Sequence, residues 1–193
     1  MPASVQDKLF IITGSAGGLG KAFSVKLLSL GGKVCLSDVN EALGEATLKE
    51  LSDSYGGDRV AFVPCDVTKE ESVENLIDEA ERKLGTPVFC FVNNAGVMGE
   101  KEGWRLCMEI NLTGVLHGTT IAIRRMGKDG GGGGGVVVNV ASILGLFCGT
   151  QPKGYQYNTS KSAVVTLSRC IGNPVGELYA HGRIVITYFL GKL

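Results

Sequence analysis

Residues 8–30 read Lys8-Leu9-Phe10-Ile11-Ile12-Thr13-Gly14-Ser15-Ala16-Gly17-Gly18-Leu19-Gly20-Lys21-Ala22-Phe23-Ser24-Val25-Lys26-Leu27-Leu28-Ser29-Leu30. The first six are an apolar, β-rich run, as expected of a strand covered on both faces. From Lys21 onward Ala22, Phe23, Val25, Leu27, Leu28 and Leu30 follow a helical pattern. Strand, glycine turn and helix in that order place free backbone N–H groups and a helix dipole where a phosphate could sit. A Walker A loop would need glycine where Ser15 stands and Ser or Thr where Ala22 stands, so nucleoside triphosphate chemistry is disfavoured. The strict Gly-x-Gly-x-x-Gly fingerprint is also missing. The chain holds Thr13-Gly14-x3-Gly18-x-Gly20 instead.

Lys33-Val34-Cys35-Leu36-Ser37 reads as the second strand and ends at Asp38. In dinucleotide folds an acid roughly 20 residues beyond the glycines bonds the adenosine ribose hydroxyls, and its charge repels a 2′-phosphate. Asp38 holds that place, so NAD is expected in preference to NADP.

Strand and helix signals continue to alternate. A helix is expected over Glu41–Ser52, a strand over Val60–Val63, and a helix opened by Thr68 with Glu71 as a capping box and running to Leu84. A strand follows over Val88–Val92, then a helix over about Trp104–Met126, a strand over Val136–Val140, a helix carrying Tyr157 and Lys161, and a strand over Arg183–Leu190. Repeated βα units imply an α/β, Rossmann-type doubly wound parallel sheet with helices on both faces. The six consecutive glycines Gly130–Gly135 read as a flexible connector.

At 193 residues the chain fits one domain with a sizeable core. Its formal net charge is zero, with no basic block, which argues against nucleic acid as a main partner. No uninterrupted apolar run approaches membrane-span length, and residues 1–8 carry no signal-peptide pattern. The six cysteines lack Cys-x2-Cys spacing. They read as reduced thiols of a cytoplasmic protein and not as metal ligands, so no metal is expected. His117 and His181 are isolated and read as structural or solvated.

Tyr157 and Lys161 stand at i and i+4, on one face of a helix. A free tyrosine, with a pKa near 10, is a poor base at neutral pH. A neighbouring ammonium favours the phenolate, so the pair can act as an acid/base unit on an alcohol oxygen.

These motifs together, from about Lys8 to Gly182, resemble the short-chain dehydrogenases/reductases. Thr13-Gly14-x3-Gly18-x-Gly20, Asp66-Val67, Asn93-Asn94-Ala95-Gly96, Asn111, Ser142 and Tyr157-x3-Lys161 occur in the family's order. The resemblance implies hydride transfer between NAD and a small-molecule secondary alcohol or ketone. Tyr157 would exchange the proton and Ser142 would hydrogen-bond the substrate oxygen. Lys161 would lower the Tyr157 pKa and bind the nicotinamide ribose, and Asn111 would hold a water leading from Lys161 to solvent. The implied cofactor contacts are Gly14, Ser15, Gly18, Leu19, Gly20, Asp38, Val39, Cys65, Asp66, Val67, Asn94, Ala95, Gly96, Tyr157 and Lys161. A two-fold homodimer is implied through the helices of residues 104–126 and of Tyr157, with Leu112, Val115, Leu116, Val164, Val165 and Leu167 available.

Two departures accompany the resemblance. Gly172-Asn173-Pro174 should end or kink the helix after Lys161. Relatives also continue beyond the sixth strand through a Pro-Gly turn, a substrate-covering segment and a seventh strand, so residues 1–193 are expected to form a dinucleotide-binding domain incomplete at its C-terminus, with the last strand or strands missing. Two function classes stay open: an active NAD-dependent alcohol dehydrogenase, or a catalytically impaired NAD-binding or dimer-forming variant.

Overall fold

The computed structural model describes residues 4–101, 103–128, 131–147, 154–172 and 184–189. Six parallel strands, β1 (Leu9–Thr13), β2 (Lys33–Asp38), β3 (Val60–Pro64), β4 (Val88–Asn93), β5 (Gly135–Val140) and β6 (Ile184–Phe189), form a sheet of order β3-β2-β1-β4-β5-β6. This is the doubly wound order, with its reversal between β1 and β4.

Alternation within each strand divides the core. Phe10, Ile12, Val34, Leu36, Val60 and Phe62 face α1 (Gly18–Ser29) and α2 (Glu41–Tyr55). Leu9, Ile11, Cys35, Ala61 and Val63 face the opposite layer, which includes α3 (Glu70–Leu84) and α5 (Gly114–Met126). Both faces are covered, so the strands read as continuous apolar runs.

Local chemistry sets the helix ends. Asn40 caps α2 by accepting the Leu43 N–H at 3.1 Å. Gly85, left-handed at φ +65°, closes α3. The expected capping box at Thr68 does not form. α3 begins at Glu70 with Lys69 as its N-cap and no side-chain cap. The Thr68 hydroxyl and N–H both donate to Asp66 Oδ1, at 2.7 and 3.1 Å. A carboxylate two residues back offers Thr68 a charged acceptor, and a local Asx turn replaces the cap.

The expected helix over residues 104–126 is present but divided. α4 (Gly103–Met108) passes into a π-helical turn over Glu109–Thr113, then into α5. Within that turn the Gly114 N–H reaches back five residues to the Glu109 carbonyl. Gly103–Met126 is long and apolar enough to cross a membrane by length and composition, at mean hydropathy 1.2. Here Ile121, Ala122 and Met126 belong to the core against α3 and the sheet.

Gly131–Gly135, expected as part of a flexible connector, folds back by hydrogen bonds onto the end of α5. Gly132 and Gly134 donate to the Gly127 and Met126 carbonyls at 2.9 and 2.8 Å, and Gly135 opens β5. A Cβ at Gly132 would fall 2.3 Å from the Met126 oxygen, so bare backbone is needed there. Gly130 lies outside the described residues, as do Asn173 and Pro174; α6 (Tyr155–Gly172) extends to Gly172.

Of the side chains expected at a dimer face, Val115, Val164 and Val165 are buried within the chain, packed on Ala141 and on the partly buried Leu112 and Leu167. They join α5 to α6. Leu116 stays exposed.

Candidate active site

The C-terminal ends of the strands border one cleft of about 710 Å3, within the range of small-molecule sites. Its lining runs from Gly14, Gly17, Gly18 and Leu19 past Asp38 and Val39 to Cys65, Asp66, Val67 and Thr68. It continues through Asn94, Ala95 and Gly96 to Tyr157 and Lys161.

The glycine turn is fastened from all sides. Gly14 has φ +63°, and a Cβ there would lie 2.7 Å from Ala95 Cα. The Asn94 amide donates to the Thr13 and Gly14 carbonyls at 2.9 and 3.0 Å. The Thr13 hydroxyl accepts the Asn94 and Ala95 N–H groups at 3.0 and 3.1 Å. Gly20 lets α1 approach: its missing Cβ would lie 2.6 Å from Asn94 Nδ2. Ser15 is buried away from the cleft. Its hydroxyl donates to the Ile12 carbonyl at 2.7 Å and accepts the Ser37 N–H at 2.9 Å, tying β1 to β2. The first turn of α1 has neither a side-chain cap nor an acidic residue. An anion is the natural partner of such N–H groups.

Asp38 ends β2 with one oxygen accepting the Ala16 N–H at 3.1 Å and the other the Asn40 N–H at 3.0 Å. Each oxygen keeps acceptor capacity for a ribose hydroxyl. Asp66 is held below the ordinary carboxylate range by the Thr68 hydroxyl, against the upward push of burial and with further help from the Thr68 N–H and Lys69. Glycine turn, uncapped helix and strand-end carboxylate form a set that fits a dinucleotide.

The opposite end of the cleft is built by β5 and α6. Ser142 follows β5 and caps the short 3-10 turn Ile143–Gly145, its hydroxyl accepting the Leu144 N–H at 3.2 Å. That turn seats on α6: a Cβ at Gly145 would lie 2.7 Å from the Lys161 backbone, and Ser162 donates to the Gly145 carbonyl at 2.8 Å. Ser142 is thereby set beside Tyr157. Lys161 Nζ donates to the Val140 carbonyl at 2.7 Å and lies 5.8 Å from the Tyr157 ring centre.

Burial pushes the Tyr157 phenol above its ordinary value; a hydrogen bond with Ser142 draws it back, and Cys107 nearby pushes it up further. The net direction is opposite to the lowering expected from Lys161, because desolvation dominates. Burial pulls Lys161 down to about 8, with Cys107 opposing.

Asn111 is fully buried in the π turn and does not line the cleft. Its amide binds both backbone groups of Val97 and donates to Ser160 Oγ at 3.1 Å. Ser160 in turn donates to the Tyr157 carbonyl at 2.8 Å. Sequence reasoning gave Thr13 only as the head of the glycine motif and Thr68 only as a helix cap, and passed over Val97 and Ser160. Only the position of Ser160, beside Lys161, hinted at a part. Among the described residues no three His, Cys, Asp or Glu side chains gather into a metal-binding group.

Comparison with known proteins places this geometry. The short chain dehydrogenase family model matches residues 8–186. NAD(+)-dependent 15-hydroxyprostaglandin dehydrogenase of Rattus norvegicus is 34% identical over 166 residues, covering 86% of this chain and 60% of that protein. Asn93-Asn94-Ala95-Gly96-Val97, Ile110-Asn111-Leu112 and Val138-Asn139-Val140-Ala141-Ser142 are the stretches that resemble that enzyme. 3beta-hydroxysteroid dehydrogenase 2 of Eggerthella lenta is 35% identical over 167 residues, 82% of this chain and 62% of that one. The chain thus spans about 60% of the length of the curated relatives it matches. A short chain dehydrogenase/reductase from Burkholderia phymatum, solved in complex with NAD, superimposes with TM-score 0.84 at 30% identity, over 96% of this chain and 66% of that one. Motifs, fold and relatives agree that this chain belongs to the short-chain dehydrogenase family.

Proposed function

We propose that this chain is an NAD-dependent oxidoreductase acting on a secondary alcohol or its ketone, with Ser142, Tyr157, Lys161 and Asn111 as its working set. The observation that carries the reading is one cleft lined by Asp38 and also by Tyr157 and Lys161, with the buried Ser142 hydrogen-bonded to Tyr157 behind that lining. NAD, when bound, supplies the hydride acceptor.

Gly14, Gly18, Leu19 and the first turn of α1 would receive the pyrophosphate, and Asp38 and Val39 the adenosine ribose. Asp66 and Val67 would flank the base, and Asn94 to Gly96 the middle of the cofactor. Ser142 and Tyr157 would converge on the substrate oxygen. Burial keeps Tyr157 protonated at neutral pH, ready to donate to a ketone oxygen. For oxidation the phenol must first lose its proton, which the Lys161 ammonium favours electrostatically. Asn111 would act behind Lys161 on a water path through the π turn.

The names of the relatives above add a hydroxylated lipid or sterol to the substrates worth assaying. Among the described residues, Cys35, Cys65, Cys90 and Cys170 are thiols outside any disulfide, which supports a reducing, cytoplasmic setting. A homodimer through α5 and α6 would use the exposed Leu116. The test is NADH formation from a panel of secondary alcohols that includes a hydroxy fatty acid and a hydroxysteroid. Absence of NADH formation with every member, by a chain that binds NADH, would reject the oxidoreductase in favour of a cofactor-binding protein.

A further inference from the structure

We propose that His117 is a cofactor-positioning residue: with the bare Gly114 it clamps the cleft wall that receives the adenine end of the dinucleotide. The inference rests on the NAD reading and not on the chemistry at Tyr157.

Asp38 pairs with Pro64 in the β2–β3 register. The residues that follow β3, Cys65 to Thr68, are therefore the cleft wall nearest the carboxylate assigned to the adenosine ribose. That wall is shaped from behind by α5. His117 Nδ1 lies 3.0 Å from the Val67 carbonyl oxygen. A carbonyl only accepts, so Nδ1 carries the proton and donates. Three residues earlier on the same helix face, a Cβ at Gly114 would come 2.7 Å from Val67 Cγ2 and 3.0 Å from Val67 Cβ. Gly114 has an ordinary helical φ of −59°, so what it supplies is room. Val67 is thus seated on α5 by its carbonyl and by its side chain together.

A seat of this kind matters for binding because Val67 faces the cleft with one side and α5 with the other. Losing the His117 donor leaves the Val67–Thr68 peptide held only at its Thr68 N–H, by Asp66, and no longer fastened to α5. A methyl at Gly114 pushes the Val67 side chain toward the space the base would fill. α5 also begins directly after the π turn that holds Asn111, so one helix supports the adenine wall and the proton path.

The test is titration of the full chain with NADH and with ADP-ribose, which keeps the adenine end and lacks only the nicotinamide, alongside thermal melting. His117→Leu should weaken both ligands about five- to tenfold, the scale of one lost hydrogen bond. His117→Asn, whose amide nitrogen sits near the Nδ1 position, should recover most of that. Gly114→Ala should weaken both ligands although alanine is the better helix former and the melting temperature is maintained. Wild-type affinity in both His117→Leu and Gly114→Ala would overturn the inference and leave the NAD reading intact. So would affinity losses that merely follow a loss of folded protein. Failure of the wild-type chain to bind either ligand would overturn the NAD reading and this inference with it.

Discussion

Asn111 pairs with Val97 as one strand pairs with another: its Oδ1 accepts the Val97 N–H at 2.8 Å and its Nδ2 donates to the Val97 carbonyl at 2.8 Å. The pair ties the π turn to the segment that follows Asn93-Asn94-Ala95-Gly96. Asn111→Leu would remove the side-chain partner of the half-buried Val97 N–H and leave the Val97 carbonyl with the weak Cys107 thiol donor. It should cost about 2–4 kcal/mol of stability by denaturant unfolding. Asn111→Asp keeps the acceptor and loses the donor, so an intermediate loss is expected.

Asp38 gives the second prediction. Asp38→Ala should weaken NAD binding about tenfold or more through two lost ribose hydrogen bonds. NADP binding should change little or improve, because the repulsive charge is gone. Parallel titrations of the two reduced cofactors read this out. Tighter binding of NADPH than NADH by the wild-type chain would remove Asp38 from its role.

Lys161 gives a pH-dependent prediction. Burial holds its folded pKa at about 8, below the ordinary lysine value of 10.5. The cost of holding its charge is therefore full below pH 8 and is relieved as pH rises towards 10.5. Wild type should gain stability relative to Lys161→Met across that window, by on the order of 3 kcal/mol. Comparing the two proteins cancels the opposite trend from Cys35 and Cys90, whose thiols burial pushes up to about 12. A constant difference from pH 7 to 11 would show that Lys161 is not desolvated as described.

Gly96 gives a test of spacing. A Cβ there would lie 3.2 Å from Asn111 Oδ1 and 3.5 Å from Lys161 Nζ. Gly96→Ala should lower turnover several-fold, since small displacements in a positioned site are costly. Cofactor affinity should change less than turnover.

Much of this molecule was legible in the chain. Parallel strands buried on both faces announce themselves as apolar runs, and the glycine turn and Asp38 stand at distances set by the βα unit. The interruption at Glu109–Thr113 was not legible, because apolar residues continue through a π turn without a break in pattern. Thr68 carried a correct capping motif but bonded to Asp66, a competition that only geometry decides. Val115, Val164 and Val165 looked available on helix faces; they are used inside the chain, in one cluster with Ala141 just beyond β5. His117, isolated in sequence, meets Val67 across 50 residues, and no local pattern marks such a contact. The upward push on Tyr157 follows from burial, which the Tyr-x3-Lys spacing does not reveal.

The central claim is that Tyr157 exchanges the proton on a scaffold that holds NAD independently. Its most direct test measures NADH affinity and secondary-alcohol turnover side by side for wild type and Tyr157→Phe. On this proposal the phenol serves proton transfer far more than cofactor binding, so turnover should fall by about 10²–10⁴ while NADH affinity stays within about threefold. Substantial turnover in Tyr157→Phe, at unchanged NADH affinity, would contradict the account.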